Sequence, residues 1–466
     1  MKAWEIAKKI VDDAPVVIRQ ETAEDWEMNA SQRVADSTLR ALWLSFAPGS
    51  GAPSSLMAGA VQSMENMGYD VSGAETLLRA GLKARETDDL VLLHRITAQL
   101  AGALATAPKI PEHPYWNYRI YETFDEVAED SHYTAVAPVR LDSNAFRAQL
   151  KLSWLGQIAG GAFGTAIEGY SGDQIRAALD GIDGYLKPIS LYNDDITYEL
   201  AFLKALNGDA PFSSGSIAEE WAARIPYGWS AEDIALKNIA LGILPPLSGK
   251  LHNPYREWIG AQMRGAVCGY VAPGNARRAA QLAFLDGCVS HHNNGIIGEI
   301  FNAVLTSLAF VENDVRMLLA AAARAVPSKS EFKAVVSYAM ECCGHMGAEN
   351  ALQACAERFE QYNLTHAYPN AAIEIVALWF GRGDFDETMR IAAYAGQDVD
   401  CNTAMLGAVL GAMEGACIRP KWLAPIGDTL ITYVRGIHEV KIDTLVELCI
   451  EGAKKLKVRG IEPLRS

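Results

Sequence analysis

Two pairs of aspartates stand at the beginnings of segments that are otherwise apolar. Asp194 and Asp195 precede a run with leucines at helical spacing, in ISLYNDDITYELAFLKAL. Asp398 and Asp400 precede a run of Ala, Gly, Leu, Met and Val, in AGQDVDCNTAMLGAVLGAMEG. Each pattern predicts a buried helix with two carboxylates at its N-terminus.

These four carboxylates have two interpretations. An aspartate at a helix N-terminus accepts hydrogen bonds from unpaired backbone N–H groups, so each pair can be an independent solvated cap. Alternatively the two helix ends meet, and four carboxylates close together require protonation or a cation. Asn193 and Thr197 add oxygen atoms beside the first pair, and oxygen ligands suit a hard ion such as Mg²⁺, Mn²⁺ or Ca²⁺. The residue types alone leave both interpretations open.

The composition indicates a globular protein with a large buried core. The chain has 466 residues, of which 50% are hydrophobic, and its mean hydropathy is +0.03. No apolar run reaches the roughly 18 residues that cross a bilayer, and charged residues interrupt the opening segment MKAWEIAKKIVDDAPVVI, so we expect a cytoplasmic protein without a membrane partner. The net charge of −15 argues against nucleic acid as a partner. The eight cysteines lack metal-ligand spacing, and we expect reduced thiols in the core.

Helical periodicity dominates the chain and alternating strand patterns are scarce, so the sequence predicts an all-α fold. Residues 1–145 are predicted to form an N-terminal helical accessory domain that ends in a connector rich in proline and aromatic residues. Pro108, Pro111 and Pro114 exclude a regular helix through that connector. Residues 146–466 are predicted to form the main domain. No chemical motif stands out in the first region, where APGSGAPSS is predicted to be a loop between helices.

Glycine recurs every four residues in two of the predicted segments. The glycines are Gly156, Gly160 and Gly164 in the first segment and Gly407, Gly411 and Gly415 in the second. A glycine inside a helix costs about 1 kcal/mol relative to alanine, and a row of glycines lets another backbone approach closely. We therefore expect tight helix packing, which would also bring helix ends together.

Three motifs, in this order along the chain, resemble those of the ADP-ribosylglycohydrolase family: GQIAGGAFGTAIEG, NDDITY and GQDVDCNTAMLGAVLGAMEG. The similarity spans roughly residues 150–420, and NPYREWIGAQMRG looks like one bacterial subgroup of the family. The resemblance implies an all-α hydrolase with an ADP-ribosylglycohydrolase-like helical domain. It also implies a divalent metal, Mg²⁺ with Mn²⁺ as an alternative, bound as one or two ions between an early Asp-Asp and a late Asp-x-Asp motif.

The resemblance and the reaction that it implies suggest roles for individual residues. The expected metal ligands are Asp194, Asp195, Asp398, Asp400 and Asn193, the last of which is alternatively a helix cap. Glu168 is the expected general base, because it matches a glutamate that this subgroup carries after its glycine-striped helix. His291, Tyr192 and Glu299 are expected to contribute to substrate binding, although His291 could be a packed histidine and Glu299 could support a metal ligand or be a plain helix residue.

The chain departs from the family pattern at several positions. Thr165 replaces a common aspartate, Ile196 a threonine and Gln397 a frequent glycine. Cys401 stands where many members have threonine or serine. Because a thiol is a poor ligand for Mg²⁺, the second ion is expected to be weakly held, absent or a different metal.

The implied reaction is metal-dependent hydrolysis of a glycosidic bond at C1 of a ribose. The expected partner is a small molecule, either an ADP-ribosyl substrate or a small riboside of nucleoside type. One different class is a non-catalytic sugar-binding or structural descendant of the fold. A phosphate-ester hydrolase, which would use the same oxygen ligands, is another.

Overall fold

The computed structural model describes residues 1–18, 29–52, 55–179 and 181–459. The chain divides into two compact units, residues 1–42 and the residues from 43 onward. The predicted all-α fold is confirmed, since the described residues form twenty-three α-helices and a single two-stranded sheet. The division falls after residue 42, whereas the sequence placed a domain boundary at residue 145. No described helix is both long and apolar enough to cross a bilayer.

The first part of the chain is helical as predicted. Its helices are α1 (Ala3–Asp12), α2 (Asn29–Trp43), α3 (Leu56–Asn66), α4 (Ser72–Glu86), α5 (Leu90–Ala105) and α6 (Phe124–Glu129), with a 3₁₀ turn at Pro114–Asn117. Helix α5 begins where the Asp89 side chain accepts a hydrogen bond from the Leu92 N–H, which pairs one of the free donors of a helix N-terminus. The proline-rich connector has no regular helix at its prolines, and its rings of Tyr115 and Tyr121 are buried.

The remaining helices carry the predicted site segments. They are α7 (Asn144–Gly164), α8 (Gly172–Ala178), α9 (Asp194–Asn207), α10 (Ser214–Arg224), α11 (Ser230–Ala240), α12 (Leu247–Lys250), α13 (Ala266–Val271), α14 (Ala276–Gly287), α15 (Asn294–Ala309), α16 (Val315–Ala325), α17 (Glu331–His345), α18 (Ala348–Arg358), α19 (Ala367–Gly381), α20 (Phe385–Ala395), α21 (Val399–Ala412), α22 (Pro420–Leu423) and α23 (Ile442–Arg459), with a 3₁₀ turn at Gln262–Arg264. Every residue of α15 is buried, so the core surrounds this helix on all sides.

A short hairpin interrupts the helical architecture near the C-terminus. Strands β1 (Thr429–Val434) and β2 (Ile437–Lys441) pair antiparallel with Leu430 opposite Val440. Residues of β1 alternate between half-buried and buried positions, as expected of a strand with one face toward a core. Gly436, with φ of 76°, forms the turn between the strands.

The glycine rows hold α7 and α21 against each other. A methyl group added at Gly156 would lie 2.3 Å from the Gly407 carbonyl oxygen, and one at Gly160 would lie 1.9 Å from the Thr403 carbonyl oxygen. The Thr403 hydroxyl donates to the Gly160 carbonyl oxygen at 2.7 Å. Direct backbone contact of this kind requires residues without a β-carbon. The expected tight packing is therefore present, although Gly415 lies beyond the end of α21 in a turn with positive φ.

Candidate metal and active site

The early aspartate pair occupies the first turn of α9. Asn193 is the N-cap residue, and its side chain makes no capping hydrogen bond. Asp195 is completely buried, and both of its carboxylate oxygens lack a hydrogen-bond partner. Asp194, which is partly exposed, lines a cavity. The capping interpretation explains neither the Asn193 side chain nor the burial of Asp195.

The late pair occupies the corresponding place in α21. Asp398 is the N-cap residue, again without a side-chain cap hydrogen bond, and Asp400 lies in the first turn. Both side chains are buried, and one oxygen of each lacks a hydrogen-bond partner. An unpaired buried carboxylate oxygen destabilises a fold by about 1 to 3 kcal/mol or more, so this arrangement calls for another partner.

The C-terminal end of α7 brings the two pairs together. A methyl group at Gly161 would lie 2.9 Å from the Asn193 amide nitrogen, and one at Gly164 would lie 2.4 Å from the backbone of Asp400. The same helix end therefore contacts the N-termini of both aspartate-bearing helices. The glycines at this end of α7 therefore let both aspartate-bearing helix ends approach, as the sequence predicted when it linked the glycine row to the meeting of helix ends.

Glu168 joins this group through a short stretch of backbone pairing. The Gly169 N–H donates to the Gln397 carbonyl oxygen at 2.9 Å, and the Gln397 N–H donates to the Tyr170 carbonyl oxygen at 3.0 Å. Gln397 has a φ of 70°, in the left-handed region that favours glycine. The two hydrogen bonds place Glu168 close enough to Asp398 for its charge to affect the Glu168 carboxyl.

The carboxylates perturb one another strongly. Burial raises the pKa of Glu168 well above its usual range, and the charges of Asp400 and Asp398 raise it further. Burial, followed by the charge of Asp400, raises the pKa of Asp398 well above its usual range and that of Asp194 to about 6. Burial also raises the pKa of Asp195 strongly, with the neighbouring Asp194 and Asp400 adding to the effect. Such a cluster is stable as carboxylates only with a compensating positive charge.

The residues present fit a divalent cation with oxygen ligands. The unpaired oxygens belong to Asp195, Asp398, Asp400 and the Asn193 side chain, and carboxylate and amide oxygens are what Mg²⁺ and Mn²⁺ prefer. Ligand atoms of Asp398, Asp400 and Cys401 lie within 4.8 Å of one another. Burial raises the pKa of the Cys401 thiol well above its usual range, and the surrounding aspartates add to this shift. A protonated thiol is a weak ligand, so the oxygens are the suitable donors.

A cavity of about 500 Å³ opens onto this cluster. Its wall carries the carboxylates of Glu168, Asp194, Asp398 and Asp400, together with Tyr192. The structure thus brings Glu168, Tyr192, Asn193 and the four aspartates to one place, although Asp195 lies behind the wall rather than on it; the roles expected of these residues stay predictions.

Two predicted substrate-binding residues lie elsewhere. His291 is fully buried, its Nδ1 lies 2.7 Å from the Ser290 hydroxyl, and it does not line the cavity. Glu299 is fully buried in α15, and its Oε1 lies 3.8 Å from the Sγ of Cys268 in α13. We therefore do not retain either residue as a substrate contact. In the sequence both residues are polar positions within apolar segments, and in the structure both side chains are buried in the interior.

Several cavity residues were missing from the sequence interpretation. Ser50, Gly51 and Ala52 line the cavity, although the region containing them carried no recognisable motif, and a hydrogen bond from Ser50 opposes the rise in the pKa of Glu168. The loop predicted at residues 47–55 includes residues 53 and 54, which lie outside the described part of the chain. A serine in a glycine-bearing loop is too common a pattern to have indicated a site.

Other wall residues come from distant parts of the chain. Glu232 lies in the first turn of α11 and is buried, while Tyr227, Trp229 and Tyr433 form an aromatic rim. The rim combines a loop before α11 with the hairpin strand β1. Only the tertiary fold brings these segments together, so the sequence offered no local signal for them.

The chain was compared with protein-family models, curated proteins and solved structures. The family model for ADP-ribosylglycohydrolase matches residues 142–452. A solved structure entitled "ADP-ribosylglycohydrolase-related protein complex" is 18% identical, with a TM-score of 0.45, and the match covers 67% of this chain and 99% of that chain. No curated protein matches the chain. Because the family model spans well over half of the sequence, the chain belongs to the ADP-ribosylglycohydrolase family.

Proposed function

We propose that the protein is a metal-dependent hydrolase that cleaves a glycosidic bond at C1 of a ribose. One observation supports this most strongly: carboxylates from two helix N-termini converge on one cavity with several oxygens unpaired. A purely structural descendant of the fold gains nothing from buried unpaired carboxylates, since each costs stability. Family membership supports the reaction class.

The proposed ligands of the ion are the four aspartates and the Asn193 amide oxygen. The Asn193 amide nitrogen faces Gly161, and its oxygen lacks a hydrogen-bond partner. A bound Mg²⁺ or Mn²⁺ supplies a grip on sugar hydroxyls and a polarised water. The protein would hold these ligand oxygens in fixed positions, because Gly164 at the end of α7 lies against the backbone of Asp400 at the start of α21.

Glu168 is the proposed general base. It lines the cavity, is buried, and lies beside Asp398 and Asp400 without being one of the proposed ligands. A nearby cation would lower its pKa and favour the carboxylate form. The carboxylate would then accept a proton from the attacking water while positive charge develops at the ribose ring.

The test is release of sugar from ribosyl substrates by the purified full-length chain. We expect turnover with Mg²⁺ or Mn²⁺ and its loss in excess chelator. Asp398→Asn is expected to lower turnover by more than about 100-fold, and Glu168→Gln by about 100-fold or more while metal binding persists. The exposed Asp209 provides a matched control, since Asp209→Asn removes a carboxylate without touching the cavity.

Two results would contradict the proposal. Unchanged turnover in chelator would exclude metal dependence. Full activity of Asp398→Asn, at a level equal to that of Asp209→Asn, would remove the cluster from the reaction.

A further inference from the structure

The cavity wall is acidic and contains no cationic side chain among the described residues. Glu168, Asp194, Glu232, Asp398 and Asp400 line it, and the described wall residues include no lysine, arginine or histidine. One divalent ion would offset two of these five carboxylates, and two ions would offset four. The buried carboxylates of Asp195 and Asp286 and the guanidinium of Arg264, which pairs with Glu232 and Asp286, belong to the same charge balance. With all seven carboxylates ionised, the site therefore remains net negative with one ion or with two.

A guanidinium behind this wall, that of Arg264, is already engaged. Arg264 has only 1% of its side chain exposed and donates to Glu232 at 3.1 Å and to the Gly260 carbonyl oxygen at 2.6 Å. It also donates to Asp286 and to the Ser290 hydroxyl. Arginine has five N–H donors in a fixed plane, so these partners occupy the fork that would otherwise grip a phosphate.

The helix end at the cavity is likewise occupied by negative charge. Helix α11 begins at Ser230, and its first turn contains Glu232 and Asp233. A helix N-terminus attracts anions through its free N–H groups. Here the buried Glu232 carboxylate lies in that first turn, so a second anion would meet a like charge.

The aromatic rim of Tyr227, Trp229 and Tyr433, together with Tyr192 on the cavity wall, exposes aromatic rings to the cavity. Tyr192 is 58% exposed, Tyr227 48% and Trp229 38%. Tyr227 stacks on Tyr433 with ring centres 5.1 Å apart at 12°, and Trp229 packs edge-on against Tyr227 at 5.5 Å. Exposed rings fixed in this way offer faces for a flat ligand, and they attract cationic rings more strongly than anionic groups.

We propose that the substrate is an N-riboside without a phosphate, carrying a flat aromatic base that is neutral or cationic. The ribose would meet the carboxylate cluster, and the base would stack on the Tyr227 and Trp229 rim. A mononucleotide or dinucleotide would place phosphate charge against an acidic wall without a cationic side chain. This inference rests on the proposed hydrolase function and specifies its substrate class.

The reaction is a simple hydrolysis. Water oxygen forms a bond to C1 of the ribose as the bond from C1 to the base nitrogen breaks, and the electron pair of that bond stays on nitrogen. A cationic base leaves neutral and the proton lost by water is released to Glu168 and then to solvent. A neutral base leaves with that proton on its nitrogen.

The test compares substrates that differ only in phosphate. Nicotinamide riboside and its 5′-phosphate share the same cationic base and the same C1–N bond, and adenosine and its 5′-phosphate form a neutral pair. With Mg²⁺ or Mn²⁺ present, we expect kcat/KM for the riboside of at least one pair to exceed that of its phosphate by at least about tenfold. ADP-ribosyl-arginine serves as the third class of substrate.

Variants at the rim test the cause of this preference. Tyr192→Arg adds a cation at an exposed wall position, so the preference for the riboside should fall at least threefold relative to Tyr192→Leu. Trp229→Ala should raise KM for the riboside by about tenfold, whereas Trp229→Phe, which keeps a ring, should raise it much less.

The possible outcomes separate failure of the proposed substrate class from failure of the proposed hydrolase function. Equal or better cleavage of the phosphorylated partner in both pairs, or cleavage of ADP-ribosyl-arginine alone, would overturn the substrate class and leave the hydrolase function intact. Failure to cleave any of these C1 bonds with metal present would overturn both. A preference for the riboside that Tyr192→Arg leaves unchanged would overturn the electrostatic explanation.

Discussion

Gly164, the last residue of α7, lies directly against the backbone of Asp400 in the first turn of α21. A methyl group at Gly164 would approach the Asp400 nitrogen and Cα to 2.4 Å, a distance that no packed carbon adopts. The absence of one side chain therefore determines where a proposed metal ligand stands. It connects the glycine pattern of the sequence to the geometry of the site.

Gly164→Ala should damage both stability and metal binding. Relief of the clash requires α21 to move, and we expect a loss of about 1 to 3 kcal/mol in the free energy of unfolding with a weakened response to Mg²⁺. Urea unfolding with and without Mg²⁺ measures both effects. Gly102→Ala is the matched control, because that helical glycine has nothing within 4 Å, and it should gain about 0.5 to 1 kcal/mol. Equal behaviour of the two variants would contradict the packing argument.

Asp398→Asn should have opposite effects on stability without and with metal. In metal-free protein the substitution removes a buried carboxylate that has one oxygen without a hydrogen-bond partner, so at pH 8 we expect a gain of about 1 to 3 kcal/mol in the free energy of unfolding. In saturating Mg²⁺, at about one thousand times the dissociation constant, the wild type gains about 4.1 kcal/mol, and the variant gains little. Thermal unfolding in chelator and in Mg²⁺ measures this reversal. A variant less stable than wild type in chelator would indicate that Asp398 has a structural partner.

Glu374→Gln should flatten the dependence of stability on pH. Burial raises the pKa of Glu374 to about 8 from 4.5, so the folded protein binds more protons than the unfolded chain between these values. Stability therefore falls as pH rises from about 5 to 8, by up to about 1.4 kcal/mol per pH unit for this group. We expect Glu374→Gln to lose less stability than wild type between pH 5 and pH 9 in urea unfolding. The exposed Glu219 supplies the control, and Glu219→Gln should follow wild type.

Arg264→Met should be strongly destabilising. The guanidinium neutralises Asp286 and Glu232, both almost completely buried, and its removal leaves two interior carboxylates without a cation. We expect a loss of about 3 to 5 kcal/mol in the free energy of unfolding, part of which Asp286→Asn should restore in the same background. Arg79→Met, at an exposed helical ion pair, should cost less than about 0.5 kcal/mol. A loss at Arg264 as small as that at Arg79 would contradict the account.

Local patterns were sufficient to predict the helices, whereas the proposed metal cluster also required the resemblance to a known family. The aspartates at 194, 195, 398 and 400 stand at helix starts, and the glycine spacing indicates a close backbone contact, so each of these signals can be recognised within a short stretch of sequence. The structure brings these carboxylates together because that contact joins the helix ends. Their roles as ligands stay predictions.

The rest of the site depends on contacts between distant segments. Glu232 and Tyr433 are 201 positions apart in the sequence and share one cavity wall, and neither belongs to a recognisable motif. The hairpin strand that carries Tyr433 is short in a chain dominated by helical periodicity. Conversely, His291 and Glu299 stand in polar motifs but lie in the interior, because polar residues in an apolar segment can serve the core as well as a site.

Titration of Mn²⁺ into metal-free protein, followed by calorimetry and by the loss of the free Mn²⁺ magnetic resonance signal, tests the central claim most directly. We expect saturable binding of one or two ions, weakened at least tenfold in Asp398→Asn and in Asp195→Asn but unchanged in Asp209→Asn. Absence of saturable binding, or equal binding by all of these variants, would contradict a metal site at the two aspartate pairs.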